Sequence, residues 1–276
     1  MPVPGRRRRH RTPSATGGSR RLLVVELPEA PGAVARPAPL SVPVPAGVRP
    51  WVLPREGEAL RQLASFLAVL DVAPAGPVLD VAAGAGEHAL LAAVYGTRQV
   101  RAVEADAVRA HAARQAAASN ALPVVVEEIR VSGPGEDRRS AGETLDDYAG
   151  RTALEPAVLH VGRGADAAEV LAGGLGLVRR RHPWIVVGYT RQAGEILLRL
   201  PEMVALGYRL ITEIAVAGSS HGYVLAPEAV GTAFRRRVEA WSAVLPSLVE
   251  PAATTGAEPA AAVVDLRSAE GASATT

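Results

Sequence analysis

Two acids, Asp80 and Glu104, each close a short apolar run, and their surroundings suit them to ligand chemistry. Asp80 ends Pro-Val-Leu-Asp and is followed by Val-Ala-Ala-Gly-Ala-Gly-Glu, residues 81–87. Small residues at such a turn let a ligand approach the backbone, and the free N–H groups of an incoming helix favour electron-rich groups. Glu104 ends a second apolar run 18 positions after Gly86. An acid there can accept hydrogen bonds from ribose hydroxyls, the role of an acid about 20 positions downstream in dinucleotide folds. Four histidines could supply proton transfer: His88 beside the turn, His160 at the end of a later apolar run, His182 before a proline and His221 between two strand-like runs. His160 is the candidate catalytic or acceptor-orienting residue, because its strand end should face the same crevice. No His-x-His or comparable spacing supports a metal site. Cysteine and lysine are absent, which excludes disulfides, thiolate ligands and lysine catalysts.

The elements that must position these residues follow an alternating pattern. Leu60, Leu63, Leu67 and Leu70 recur at helical spacing. Strands are then expected at 77–81, 99–104, 123–131, 157–161 and 184–187. Helices are expected at 87–95, ended by Gly96, and at 107–120, capped by Asp106. A polar loop covers 132–141, and Thr144-Leu-Asp-Asp147 has the spacing of a capping box. Asp166 and Glu169 open a further helix, and the helical pattern 193–206 contains Pro201, which should kink or split it. Runs at 209–216 and 223–226 flank Gly-Ser-Ser-His-Gly as a hairpin, and Phe234, Val238, Trp241 and Leu245 share one side of a last helix. Such alternation implies an α/β, doubly wound, mostly parallel sheet with an antiparallel edge hairpin, whose ligands bind at the strands' carboxyl ends.

Composition sets the limits of this body. Residues 1–50 are rich in Pro and Arg and are expected to be extended and poorly ordered, with seven arginines and no acid in 1–21. That arm has no interleaved aromatics, so a solvated segment or a start assigned too early is favoured over a nucleic-acid contact. The body, 51–249, is near neutral and shows no nucleic-acid footprint. The tail, 250–276, lacks aromatics and periodicity and is expected to be disordered. No apolar run approaches the roughly 20 residues of a membrane helix, and a cytoplasmic location is the expectation.

Asp80-Val-Ala-Ala-Gly-Ala-Gly-Glu resembles the acid-x-Gly-x-Gly-x-Gly motif of S-adenosylmethionine-dependent methyltransferases, and Val103-Glu-Ala-Asp106 their second motif. Together with Thr144-Leu-Asp-Asp147 and Glu169-Val-Leu-Ala-Gly173, the chain is similar to the FkbM family over about 70–230. The resemblance implies a seven-stranded methyltransferase (Rossmann-like) sheet and S-adenosylmethionine as cofactor. It also implies methyl transfer to a hydroxyl of a sugar or secondary metabolite. Asp80, Ala82, Gly84 and Gly86 would then line the methionine end, Glu104 would hold the ribose, and Ala105 and Asp106 would lie beside the adenine. The chain departs from the family at the rim. Ala82 replaces the first glycine of the turn, and His160-Val-Gly-Arg-Gly-Ala165 stands where relatives read Lys-Ile-Asp-Val-Glu-Gly. Gly188 stands where an acid commonly ends strand five. Three carboxylates are lost and Arg163 is gained, which leaves two expectations: an enzyme with relocated acid–base groups, or a binding or regulatory protein without catalysis.

Overall fold

The computed structural model describes residues 21–33, 37–44, 53, 57–96, 98–134, 142–190, 193–216, 220–227, 231–248 and 263–265. The helix of leucines is α1 (Gly57–Val72). The strands of the body then follow as β3 (Val78–Val81), β4 (Val100–Val103), β5 (Val124–Glu127), β8 (Val158–Val161), β9 (Trp184–Thr190), β10 (Arg209–Val216) and β11 (Ser220–Ala226). They form one seven-stranded sheet in the order β10-β11-β9-β8-β3-β4-β5. β3, β4, β5, β8 and β9 are parallel, and the hairpin β10–β11 adds antiparallel to β9. The fold is therefore the expected α/β, mostly parallel, seven-stranded sheet with an antiparallel edge.

Strand alternation divides the core into two layers. Val78, Val100, Ala102, Val158 and Val186 face α1, α2 (Glu87–Tyr95), α3 (Ala107–Ser119) and α8 (Gly231–Val244). Leu79, Val81, Val103, Leu159, Val161 and Ile185 face α4 (Leu145–Thr152), α5 (Ala167–Ala172), α6 (Leu175–Arg181) and α7 (Ala193–Ala205). Phe234, Trp241 and Leu245 of the last helical segment are buried as its periodicity required.

Three expectations change. Residues 123–131 are not one strand: β5 stops at Glu127, and Arg130–Val131 (β6) pairs instead with Gly142–Glu143 (β7). The break lies where Ile129 N–H donates to the Glu104 carbonyl, which swings the chain across the end of β4. α7 runs through Pro201 as one helix. The described residues within 21–44 are not an unstructured arm. β1 (Arg21–Val25) pairs antiparallel with β2 (Leu40–Val44), and β12 (Val263–Asp265), within the expected disordered tail, adds on the other side of β1. Leu23, Val25, Leu27, Leu40 and Val42 are buried, and Asn120 after α3 bonds both the N–H and the carbonyl of Ser41. The prolines that suggested disorder are compatible with this sheet because Pro43 lies in an edge strand, where no ladder hydrogen bond need be lost. Residues 1–20, 45–50 and most of 250–276, with the arginine run, lie outside the described residues. No helix among the described residues is long and apolar enough to cross a membrane.

Candidate functional site

The carboxyl ends of β3, β4 and β8, together with β6, enclose a cleft of about 290 Å³, near the lower end of small-molecule sites. Its walls include Ala82 after β3, Glu104 and Ala105 after β4, residues 129–133 around β6, Gly164, Ala165 and Asp166 between β8 and α5, and Glu169 in α5. This is the crevice at the reversal of strand order, where open α/β sheets place ligands.

The turn after β3 is wound tightly. Ala82, Gly84 and Gly86 all have positive φ, at 54°, 62° and 92°. Gly86 is needed for a second reason: a Cβ there would stand 3.0 Å from the Ala113 Cβ, so its absence lets α2 close on α3. Glu104 holds this turn in place. Its Oε2 accepts the Gly84 N–H at 2.7 Å and its Oε1 accepts the Asp106 N–H at 2.9 Å, while the residue is only 5% exposed. The remaining lone pairs of a carboxylate fixed in this way are available to hydroxyl donors in the cleft. Asp106 itself caps α3, accepting from Val108 N and Arg109 N.

The loop after β8 is pressed onto the same turn. Gly162 N–H donates to Val81 O at 2.7 Å, and a Cβ on Gly162 would fall 2.3 Å from the Ala82 carbonyl oxygen. No side chain fits there without moving the loop. Gly188 is similarly crowded, with Gln62 Nε2 at 3.1 Å and Val161 O at 3.2 Å from where its Cβ would be. The carboxylates of the cleft are therefore Glu104, Asp166 and Glu169. Asp166 is committed to capping α5 through Ala168 N and Glu169 N. Glu169 lies against Gly133 and has a half-exposed side chain, 4.0 Å from Arg199.

The expected site residues thus separate. Ala82, Glu104 and Ala105 line the cleft, Gly84 is joined to it through Glu104, and Gly86 and Asp106 shape the turn and α3 behind it. Asp80 and His160 do not reach it. Their positions on β3 and β8 point to the α1–α2 face, where Asp80 has no exposure and His160 is 2% exposed. Strand alternation decides this: Val81 and Val161, one residue on, take the opposite face. His160 is therefore not placed as a base for a ligand in the cleft. Cleft residues that the sequence did not single out are Arg130, Ser132 and Gly133, and Glu169 in any role beyond opening a helix. For Ser132 and Gly133 the signal was the polar loop after strand three, whereas Arg130 was hidden inside the expected strand 123–131.

The Thr144-Leu-Asp-Asp147 element is structural. Thr144 Oγ1 accepts the Asp147 N–H at the start of α4, and Asp146 accepts the Gly176 and Leu177 N–H groups at the start of α6. No group of three or more His, Asp or Glu among the described residues is arranged to hold a metal ion.

No protein-family model matches the chain, and no curated protein does. Among solved structures, the N-terminal domain of human METTL16 in complex with SAH shares 14% identity over 68% of this chain and 75% of that one, with a TM-score of 0.48. A ribosomal protein L11 methylase from Lactobacillus delbrueckii subsp. bulgaricus shares 15% over 62% and 78%, with a TM-score of 0.42. Precorrin-6y C5,15-methyltransferase from Geobacter metallireducens GS-15 shares 17% over 65% and 92%, with a TM-score of 0.43. These are distant likenesses of chain path. The strand order itself makes this a Rossmann-like, doubly wound α/β fold.

Proposed function

We propose that the cleft binds S-adenosylmethionine and that the protein is a methyltransferase. The observation that carries this reading is Glu104: a nearly buried carboxylate at the end of β4, clamped to the Gly84 amide, forming a wall of the cleft. Glu104 would take the ribose hydroxyls, the backbone from Ala82 to Gly84 would approach the methionine end, and Ala105 would lie beside the base. The residues present fit such a group, because the turn offers small residues and an acid where a nucleoside needs them. When bound, the cofactor supplies an activated methyl group. Glu169 is then the cleft carboxylate free of a capping role and able to receive an acceptor's proton.

The FkbM-like motifs support a hydroxyl of a sugar or secondary metabolite as the acceptor. Calorimetric titration with S-adenosylhomocysteine tests the cofactor: binding by the wild type, weakened at least tenfold in Glu104→Ala, is expected. No binding at millimolar ligand would overturn the reading.

A second reading, ligand binding without catalysis, is favoured by one observation. Gly162 cannot carry a side chain against Ala82, so the rim has no room for an acid at that position. Transfer of a labelled methyl group to any hydroxylated acceptor in a cell extract would decide against it.

A further inference from the structure

Beneath the cleft lies a group of polar side chains that the cofactor reading does not use. Asp80 and His160 are register partners on β3 and β8, and His160 Nδ1 lies 2.7 Å from Asp80 Oδ1. The His88 ring stacks on His160 with centroids 4.0 Å apart, and Phe66 of α1 packs edge-on against both at 4.9 and 5.3 Å. Asp80 Oδ2 and His160 Nε2 are buried and make no hydrogen bond of normal geometry. Burying Asp80 and His160 beside the half-buried His88 is costly, and the single Asp80–His160 hydrogen bond offsets only part of that cost.

Its place in the chain suggests what. Asp80 stands two residues before Ala82, and His160 two residues before Gly162. Those are the two points where the Gly turn and the β8 loop meet, through Gly162 N–H to Val81 O and the Gly162 contact on Ala82. His88 belongs to the first turn of α2, directly after Gly86. The hydrogen bond and the ring stack on His160 therefore join the bases of all three segments behind the cleft. The titratable groups facing Asp80 are His160 from β8 and His88 and Glu87 from α2; α1 contributes the uncharged Phe66 and β4 its register partner Ala102.

We propose that Asp80 and His160 are a positioning pair that locks the Gly turn against the β8 loop, and that the proton held by this pair sets the affinity of the cleft for its nucleoside ligand. With Asp80 protonated, the pair is neutral and keeps its dry contact, so the strand ends are held together. With Asp80 ionised, a carboxylate sits in a buried site that disfavours its charge, which favours opening of the contact and leaves the two loops held less firmly. Burial, outweighing the opposing pull of His88 and the Ala89 amide, brings the Asp80 carboxyl up to about 7, so the change falls near neutrality. Affinity should fall from pH 6 to pH 8.

The inference rests on the cleft taking a nucleoside, and the test separates the two claims. S-adenosylhomocysteine is titrated calorimetrically into the full chain at pH 6, 7 and 8. Wild type should bind at least threefold more tightly at pH 6 than at pH 8. Asp80→Asn keeps the shape and the hydrogen-bond acceptor but cannot ionise, and it should bind with no pH trend. His160→Leu should lose at least tenfold at pH 6, and His160→Asn, which restores a donor near the Nδ1 position, should recover most of that. Folding of each variant is checked by circular dichroism. A wild type that binds equally at pH 6 and pH 8 overturns the positioning pair alone, as does an Asp80→Asn variant with the wild-type trend. A wild type that never binds overturns the nucleoside reading and this inference together.

Discussion

Glu104 and Gly162 show how little freedom single residues have around this cleft. Glu104 accepts two part-buried backbone N–H groups, and hydrogen bonds to a charged group contribute roughly 1.5–3 kcal/mol each. Glu104→Ala should lower stability by about 2 kcal/mol or more in denaturant titration, alongside its loss of ligand affinity. Glu104→Gln keeps one acceptor and should fall between. Gly162 is the reverse case, where adding atoms is the injury. Gly162→Asp would not supply the acid that the FkbM resemblance implies there, because its Cβ must displace the Ala82 carbonyl. Overpacking of this kind costs typically 1–3 kcal/mol, and the same urea titration should place the variant in that range. Ala82, held at φ 54°, carries strain that glycine lacks, so Ala82→Gly should be neutral or up to about 1 kcal/mol stabilising.

At the scale of elements, capping divides the sequence signals into those that build and those that bind. Asp106, Thr144 and Asp166 were legible as caps from type and position, and each accepts the N–H groups of its own helix. Asp146 was not legible in that role, because it serves a helix 30 residues further on, a contact that only tertiary packing creates. Asp146→Ala should cost about 1 kcal/mol by uncapping α6 and leave S-adenosylhomocysteine affinity within a factor of two, measured by thermal melting and calorimetry. The parallel strands and their order of appearance were readable because each short apolar run lies between helix-forming stretches. The faces of Asp80 and His160 were not readable. Ending a strand says that a residue is near the crevice, but a period of two decides which side of the sheet it takes, and a shift by one residue reverses the answer. The β1–β2 pairing was hidden for another reason: its proline-rich composition is that of a loose arm, and its stabilising partners, Asn120 and the Tyr95 hydroxyl on Pro28 O, are distant in sequence.

For the whole molecule, the buried polar group makes stability a function of pH, and the sign follows from competing shifts. Burial pushes His160 down to about 3, and burial with the neighbouring His160 brings His88 to about 3, both from 6.5. The unfolded chain therefore binds more protons at these two sites between about pH 3 and 6.5, so their contribution to stability grows as pH rises through that window. Asp80 acts oppositely. Raised from 3.8 to about 7, it contributes stability at low pH that is lost as pH rises to about 7. Half-buried Glu87 is also raised and works in the same direction, with solvent to weaken it. Glu127, whose carboxyl is lowered by Tyr148, Arg151 and Arg101 against the effect of burial, adds to the loss of stability in acid. Two imidazoles and Glu127 outweigh Asp80 and Glu87 below pH 6.5, and above it only the decline from Asp80 persists. The melting temperature of the full chain should climb from pH 4 to about pH 6.5 and then level or fall slightly by pH 8. Asp80→Asn removes the opposing slope, so its melting curve should rise more steeply in acid and stay flat between pH 6.5 and 8. A wild type whose melting temperature falls steadily from pH 4 to 6.5 would show that the imidazoles are not held neutral under the sheet.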